Sequence, residues 1–296
     1  MRVFTRGDMD GLASIVLLGI VEDISEIAFA HPKPMQDGSI AVNKNDIIIN
    51  LPYVPGCGMW FDHHISEEVK LKDIGPFKGS FAVAPSAARV IFDFYKSPKF
   101  AQYKDLLEAT DRMDSGRLTM EDVTNPSGWI LLGMTLDPRS GLGMEFRDYF
   151  RHVVDYVRQL PLEKVLENPD VKERCRRVLQ EQDEFKAILK QNSHQEGNVI
   201  ITDFRKIRNL PAGNRFLVYT LYPRANVEVR LFPGVLNNTV VAIGHSIFNR
   251  TCKINIGELT AKYGGGGHFG AGTCQLPNDI ADVKIAEIIR ELKISG

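Results

Sequence analysis

Met59-Trp60-Phe61-Asp62-His63-His64 is the stretch that decides how this chain is read. Three apolar residues in succession suit a buried strand, and the carboxylate and two imidazoles that follow set three potential metal ligands where that strand stops. An Asp-His-His triplet alone is ordinary in a surface loop, so its weight depends on the rest of the chain. Near the start, Arg2-Val3-Phe4-Thr5 reads as a short strand, followed by Arg6-Gly7-Asp8-Met9-Asp10-Gly11 and the apolar helical run from Leu12 to Val21. On an extended backbone, alternation puts the Asp8 and Asp10 carboxylates on one side, where both can face one cation. Near the far end, Gly264-Gly265-Gly266-Gly267-His268-Phe269-Gly270-Ala271-Gly272 offers a row of backbone amides without Cβ obstruction, suited to phosphate oxygens. Carboxylates, imidazoles and an anion cradle together describe metal-assisted phosphoester chemistry.

Between these motifs the first half alternates apolar strands with helical stretches, the pattern of a parallel sheet covered on both faces. Strands are expected at Arg2 to Thr5, Glu26 to Ala30, Asp46 to Leu51 and Met59 to Asp62, and helices at Gly11 to Val21, Ser86 to Tyr95 and Tyr103 to Thr110. In an open sheet of this kind ligands sit beyond the carboxyl ends of the strands, where Asp8, Asp10 and Asp62 to His64 fall. Helical spacing then dominates from Glu145 to Leu160 and from Leu162 to Gln191, and Asn198 to Phe204 and Asn226 to Phe232 read as strands of a smaller second domain. The expected division is 1–142, a helical connector 143–193, and 194–296.

Composition narrows the function classes. At 296 residues, 44% hydrophobic and 25% charged, the chain can bury the cores of two domains. It contains no apolar run long enough for a membrane span, and Met1-Arg2 leads directly into a strand, so a soluble cytoplasmic protein is expected. The four cysteines, Cys57, Cys175, Cys252 and Cys274, lack a CxxC spacing and read as reduced thiols. A net charge of −1 argues against a coat of positive charge for long nucleic acid and leaves short, highly charged substrates. Carboxylates with histidine suit manganese or magnesium better than a thiolate-seeking metal.

The order Asp-x-Asp, Asp-His-His, Gly-Gly-Gly-His-x-x-Ala-Gly resembles the DHH phosphoesterases, over nearly the whole chain. The resemblance implies an N-terminal parallel-sheet α/β domain, a smaller C-terminal α/β substrate domain and an active site in the cleft between them. It implies a manganese-dependent hydrolase of short oligonucleotides or of small nucleotides such as 3′-phosphoadenosine 5′-phosphate, with one or two ions, and a homodimer. Alternatives are an exopolyphosphatase-like phosphoanhydride hydrolase and a nucleotide-binding protein whose metal site has decayed.

Carried over residue by residue, the resemblance assigns Asp8, Asp10, Asp62 and His63 to metal, and Asp62, His63 and His64 to catalysis. It assigns Gly264, Gly265, Gly266, Gly267 and His268, with Arg250, to substrate phosphate. A further aspartate belongs to the family's ligand set, and Asp111 is preferred to Asp114. Arg6 could face the anionic substrate or offset the ligand carboxylates, and Phe248, Tyr263 and Phe269 are aromatic enough to stack on a base. Two positions depart from the family. Many members carry a histidine where this chain has Phe4, and an aspartate, often bridging two metals, at the end of the strand that here offers Asn50 at its end and Asp46 at its start. An amide at that position implies a weakened first metal site.

Overall fold

The computed structural model describes residues 1–137 and 143–295. These group into two compact units: residues 1–117 with 126–176, and residues 118–125 with 177 onward. The stretch 143–193, expected as a connector, is thus shared between the two.

In the first unit, strands β1 (Arg2–Thr5), β2 (Glu26–Phe29), β3 (Asp46–Ile49), β4 (Met59–Asp62) and β5 (Gly79–Phe81) form a parallel sheet ordered β2-β1-β3-β4-β5. The strands alternate cleanly between two apolar layers. Val3, Ile47, Ile49, Met59 and Phe61 pack on one face with helix α1 (Met9–Val21), while Phe4, Ile48 and Trp60 pack on the other with Ala30, Met35 and Leu51. Trp60 is fully buried and satisfies its indole by donating to the Leu51 carbonyl at 2.9 Å. Burial on both faces explains why these strands read as continuous apolar runs. The fifth strand escapes sequence reading because it is three residues long and only partly buried.

Helix α2 (Pro32–Gln36) caps the second face, α3 (Ile65–Glu68) follows the two histidines, and α4 (Ala87–Tyr95) and α5 (Lys104–Asp114) pack on α1. From Met9 to Leu18 every residue of α1 is buried, which accounts for its nearly uniform hydrophobicity: it is a central helix, not a surface one. The first unit continues with α7 (Gly128–Met134), α8 (Met144–Gln159), α9 (Leu162–Glu167) and the start of α10 (Pro169–Asn192), with α6 (Met120–Thr124) belonging to the second unit.

The sheet order places a topological switch between β1 and β3, since the chain moves outward from β1 in opposite directions to β2 and to β3. The carboxyl ends of β1, β3 and β4 are therefore adjacent, and they carry Asp8, Asn50, and Asp62 to His64. Gly11 makes this possible at β1: a Cβ there would lie 2.1 Å from the Arg6 carbonyl oxygen, so only glycine lets the helix start so close to the strand end.

The second unit is a mixed six-stranded sheet ordered β10-β11-β9-β8-β7-β6, from β6 (Ser193–Glu196), β7 (Val199–Asp203), β8 (Val227–Pro233), β9 (Asn238–His245), β10 (Gly266–His268) and β11 (Ala271–Pro277). The β7–β8 pair is parallel and the others are antiparallel. Helices α12 (Ile256–Ala261) and α13 (Asn278–Ser295) cover its apolar face, and α11 (Leu217–Leu221) packs near α6.

Candidate active site

Asp8 is the N-cap of α1, accepting from the Gly11 amide at 2.9 Å. The chain is already helical at Met9, so the two aspartates of Asp-x-Asp do not share a face as they would on an extended backbone. Asp8 instead meets Asn50 Nδ2 at 3.2 Å and Arg6 Nε at 3.2 Å. Asp10 is buried and turns toward the N-terminus of α4, where its two oxygens accept from the Ala87 and Ala88 amides, each at 2.8 Å. Those amides are among the donors a helix start leaves unpaired, and the positive end of the helix dipole faces the carboxylate.

His63 donates Nδ1–H to the Ala84 carbonyl at 3.0 Å, so the neutral ring presents its Nε2 lone pair inward, 3.7 Å from Asp10 Oδ2 and 3.1 Å from Asp114 Oδ2. His64 donates Nδ1–H to Asp62 Oδ1 at 2.7 Å, and this holds its ring with Nε2 directed away from Asp62. The rings of His63 and His64 lie 4.4 Å apart. Two sets of potential ligand atoms lie within 4.8 Å of one another: Asp10, His63 and Asp114, and Asp62, His63 and His64. His63 belongs to both.

The electrostatics are those of a site short of positive charge. Burial foremost, then the nearby Asp114 carboxylate, push Asp10 up to about 7, with His63 opposing. Burial also raises Asp8, against the pull of Arg6. At His63 burial disfavours the imidazolium, but the hydrogen bond to Asp114 and the charges of Asp10 and Asp114 outweigh it and lift the ring to about 9. A proton on His63 thus does part of the work of a cation between two carboxylates.

A divalent ion fits this donor set. Asn50 Oδ1 and Asp62 Oδ2 are buried without a hydrogen-bond partner, and His63 Nε2 faces the Asp114 and Asp10 carboxylates beside them. Buried polar atoms are rarely left unpaired unless something else occupies them.

Of the two aspartates at the end of α5, Asp114 joins this cluster, whereas the preferred Asp111 does not. Asp111 is saturated: Ser86 donates to Oδ1 at 2.7 Å and Arg89 grips Oδ2 through Nε and Nη2 at 2.9 and 2.5 Å. It locks α4 to α5 and so fixes the α4 amides that hold Asp10. Asp111→Asn is expected to cost about 1–3 kcal/mol in urea unfolding with little change in ion affinity. Asp114→Asn should do the reverse, weakening Mn2+ binding by about 100-fold or more at a nearly unchanged urea midpoint; calorimetry on both variants checks this.

Asp46, at the start of β3, pairs with Arg2 at 2.8 Å at the opposite end of the strand, so Asn50 is the β3 residue that reaches the site. Phe4 points into the apolar layer of Trp60 and Ile48 and offers no ligand. The orienting residues Ala84, Ser86, Ala87, Ala88 and Arg89 were not singled out from sequence, although Ser86 before an apolar run marks a helix start whose free amides need a partner.

In the second unit the glycine run is not an open row of amides. Gly264, at φ +73°, and Gly265 close the C-terminus of α12: their amides donate to Ala261 and Thr260 at 3.1 and 3.0 Å, the paired bonds of a Schellman motif. Gly266 and Gly267 then pair with Thr273 and Gly272 in the β10–β11 hairpin, and a Cβ on Gly267 would meet the Ala271 oxygen at 2.2 Å. His268 is exposed beyond them, accepting from the Gly270 amide at 3.2 Å. His245, lowered by burial and tied by Nε2–H to the Ile254 carbonyl at 3.0 Å, packs edge-on to the exposed Phe269 at 5.4 Å. Arg250 donates through Nε to Ile247 in its own turn at 3.0 Å.

No family model matches the chain, and no curated protein does. Among solved structures, the chain is similar to the pGpG-specific phosphodiesterase PggH from Vibrio cholerae, with 36% identity, a TM-score of 0.88, and coverage of 100% of this chain and 99% of that one. It shares its fold with the DHH domain of a protein described as a member of a family of ribosomal proteins (12% identity, TM-score 0.58, 99% of this chain and 86% of that one). The same holds for an exopolyphosphatase-related protein from Bacteroides fragilis (11% identity, TM-score 0.54, 99% and 92%). Among the described residues no helix is long and apolar enough to cross a membrane. With a relative this similar over the full length of both chains, and with DHH proteins sharing its fold, the chain belongs to the DHH phosphoesterase family.

Proposed function

We propose that this protein is a divalent-metal-dependent phosphodiesterase that cleaves short oligonucleotides to mononucleotides, with the linear dinucleotide pGpG as its first substrate. The observation that carries the reading is the 36% identity, with coverage of the whole chain, to a pGpG-specific phosphodiesterase. Asp10, His63 and Asp114 are the residues to hold an ion, with Asp62 beside them; manganese or magnesium suits this oxygen-rich set. When bound, such an ion supplies an activated water and a Lewis acid for phosphorus.

The rest follows from the chain's own groups. Asp62 orients His64, and the Nε2 of His64 is placed to hydrogen-bond the phosphoryl group or to protonate the leaving oxygen. The Ala84 carbonyl fixes the tautomer of His63, and the α4 amides fix Asp10. In the second unit the exposed group of His268 and Phe269 is assigned to nucleotide contact, the ring offering a stacking face.

The test is mononucleotide or phosphate release from pGpG, a longer oligoribonucleotide, 3′-phosphoadenosine 5′-phosphate and polyphosphate, run in parallel with Mn2+. Highest kcat/KM on pGpG supports the reading; turnover confined to polyphosphate, or none on any substrate, overturns it.

Ion binding should depend on pH in a defined direction. His63, lifted to about 9, must lose its proton to bind, and below about 7 Asp10 must as well. Affinity for Mn2+ is therefore expected to fall about tenfold per pH unit from pH 8 to 7 and more steeply below, approaching two protons released per ion. Calorimetry in buffers of different ionisation enthalpy reads the proton count directly.

A further inference from the structure

Asp8, the family's first aspartate, lies outside both ligand clusters among the described residues. Its carboxylate is surrounded by protein donors instead: the Gly11 amide at 2.9 Å, Asn50 Nδ2 at 3.2 Å and the Arg6 guanidinium at 3.2 Å. Asn50 is almost fully buried at the switch point between β1 and β3 and holds a left-handed φ of +55°. Its amide nitrogen faces Asp8, which leaves Oδ1 as a neutral oxygen with no hydrogen-bond partner.

A carboxylate at Asn50 would bring a second full negative charge against Asp8 and would call for a cation between them. The amide removes that charge, and Arg6 meets the one that is left. Arg6 is a third exposed and meets Asp8 through Nε, a contact that does not use the outer nitrogens of its planar fork, the donors that suit an anionic phosphate. Two divalent ions held close together need several anionic ligands to offset their mutual repulsion, and on the Asp8 side this chain supplies one.

We propose that the protein works with a single divalent ion, held by Asp10, His63 and Asp114, and that Arg6, docked on Asp8 beside Asn50, supplies the positive charge a second ion would bring to the substrate phosphate. This rests on the phosphodiesterase reading for the role of Arg6, but the ion count is independent of turnover. Asn50→Asp is the informative change, because aspartate tolerates left-handed backbone nearly as well as asparagine.

Chelator-treated full-length protein is titrated with Mn2+, with ions counted by calorimetry and native mass spectrometry and their coupling read by EPR. The wild-type protein is expected to take up one ion with an uncoupled six-line spectrum. Asn50→Asp gains a second ion and loses six-line intensity through exchange coupling. Arg6→Gln keeps one ion at an affinity within about 3-fold, and loses about 100-fold in kcat on pGpG. Two ions of comparable affinity in the wild-type protein, a folded Asn50→Asp variant that still binds one, or undiminished kcat in Arg6→Gln would each overturn the proposal. If Asn50→Asp does not fold, the wild-type count and Arg6→Gln decide. One ion without turnover of any phosphodiester would sink the functional reading and leave the single-ion site standing; two ions with turnover would do the opposite.

Discussion

Replacing His63 by alanine is expected to abolish tight Mn2+ binding and to lower kcat by about three orders of magnitude or more. The size of the effect follows from position. His63 is the one residue common to both ligand clusters, and its Nε2 lies 3.1 Å from Asp114 Oδ2 and 3.7 Å from Asp10 Oδ2. Removing the ring also leaves Asp10 and Asp114 facing each other without the cation that now stands between them. Glutamine there would keep volume but not an aromatic nitrogen pinned by Ala84, so it should not rescue binding. Calorimetry with Mn2+ and steady-state assays check both halves, and retention of wild-type affinity would remove His63 from the ligand set.

His64→Ala should separate binding from chemistry. His64 is more exposed than its neighbour and is bound to Asp62 through Nδ1, so it is poised toward the substrate and contributes less to holding the ion. The expected loss is about 10²–10⁴ in kcat, the range for a positioned proton donor, with Mn2+ affinity within a few-fold of wild type. Loss of the ion together with activity would mean that His64 is a ligand. A small effect on kcat would remove it from the proton transfer.

Much of the first unit is legible in the sequence because its physics is simple. Strands β1, β3 and β4 are buried on both faces, so their apolar runs are unmistakable, and their carboxyl ends fall at the switch point that gathers Asp8, Asn50, Asp62 and His63. Other features depend on tertiary contacts that no local pattern encodes. The direction of Asp10 is decided by free amides 77 residues away on α4. The choice between Asp111 and Asp114, three residues apart on one helix, is decided by Arg89, which takes the first out of play. In the second unit β6 is a polar edge strand with alternating exposure, and β10 is built of glycines, so neither carries the hydrophobic signature of a strand. The glycine run reads as an anion cradle, yet it serves a helix stop and a tight hairpin, two uses of the same missing Cβ.

The measurement closest to the central claim is mononucleotide release from pGpG by chelator-treated protein, followed as Mn2+ is added back, with Asp10→Asn alongside. The account predicts no release without the ion, recovery that saturates with ion binding, and no recovery in Asp10→Asn. Full activity in excess chelator, or silence from folded protein saturated with Mn2+, would contradict it.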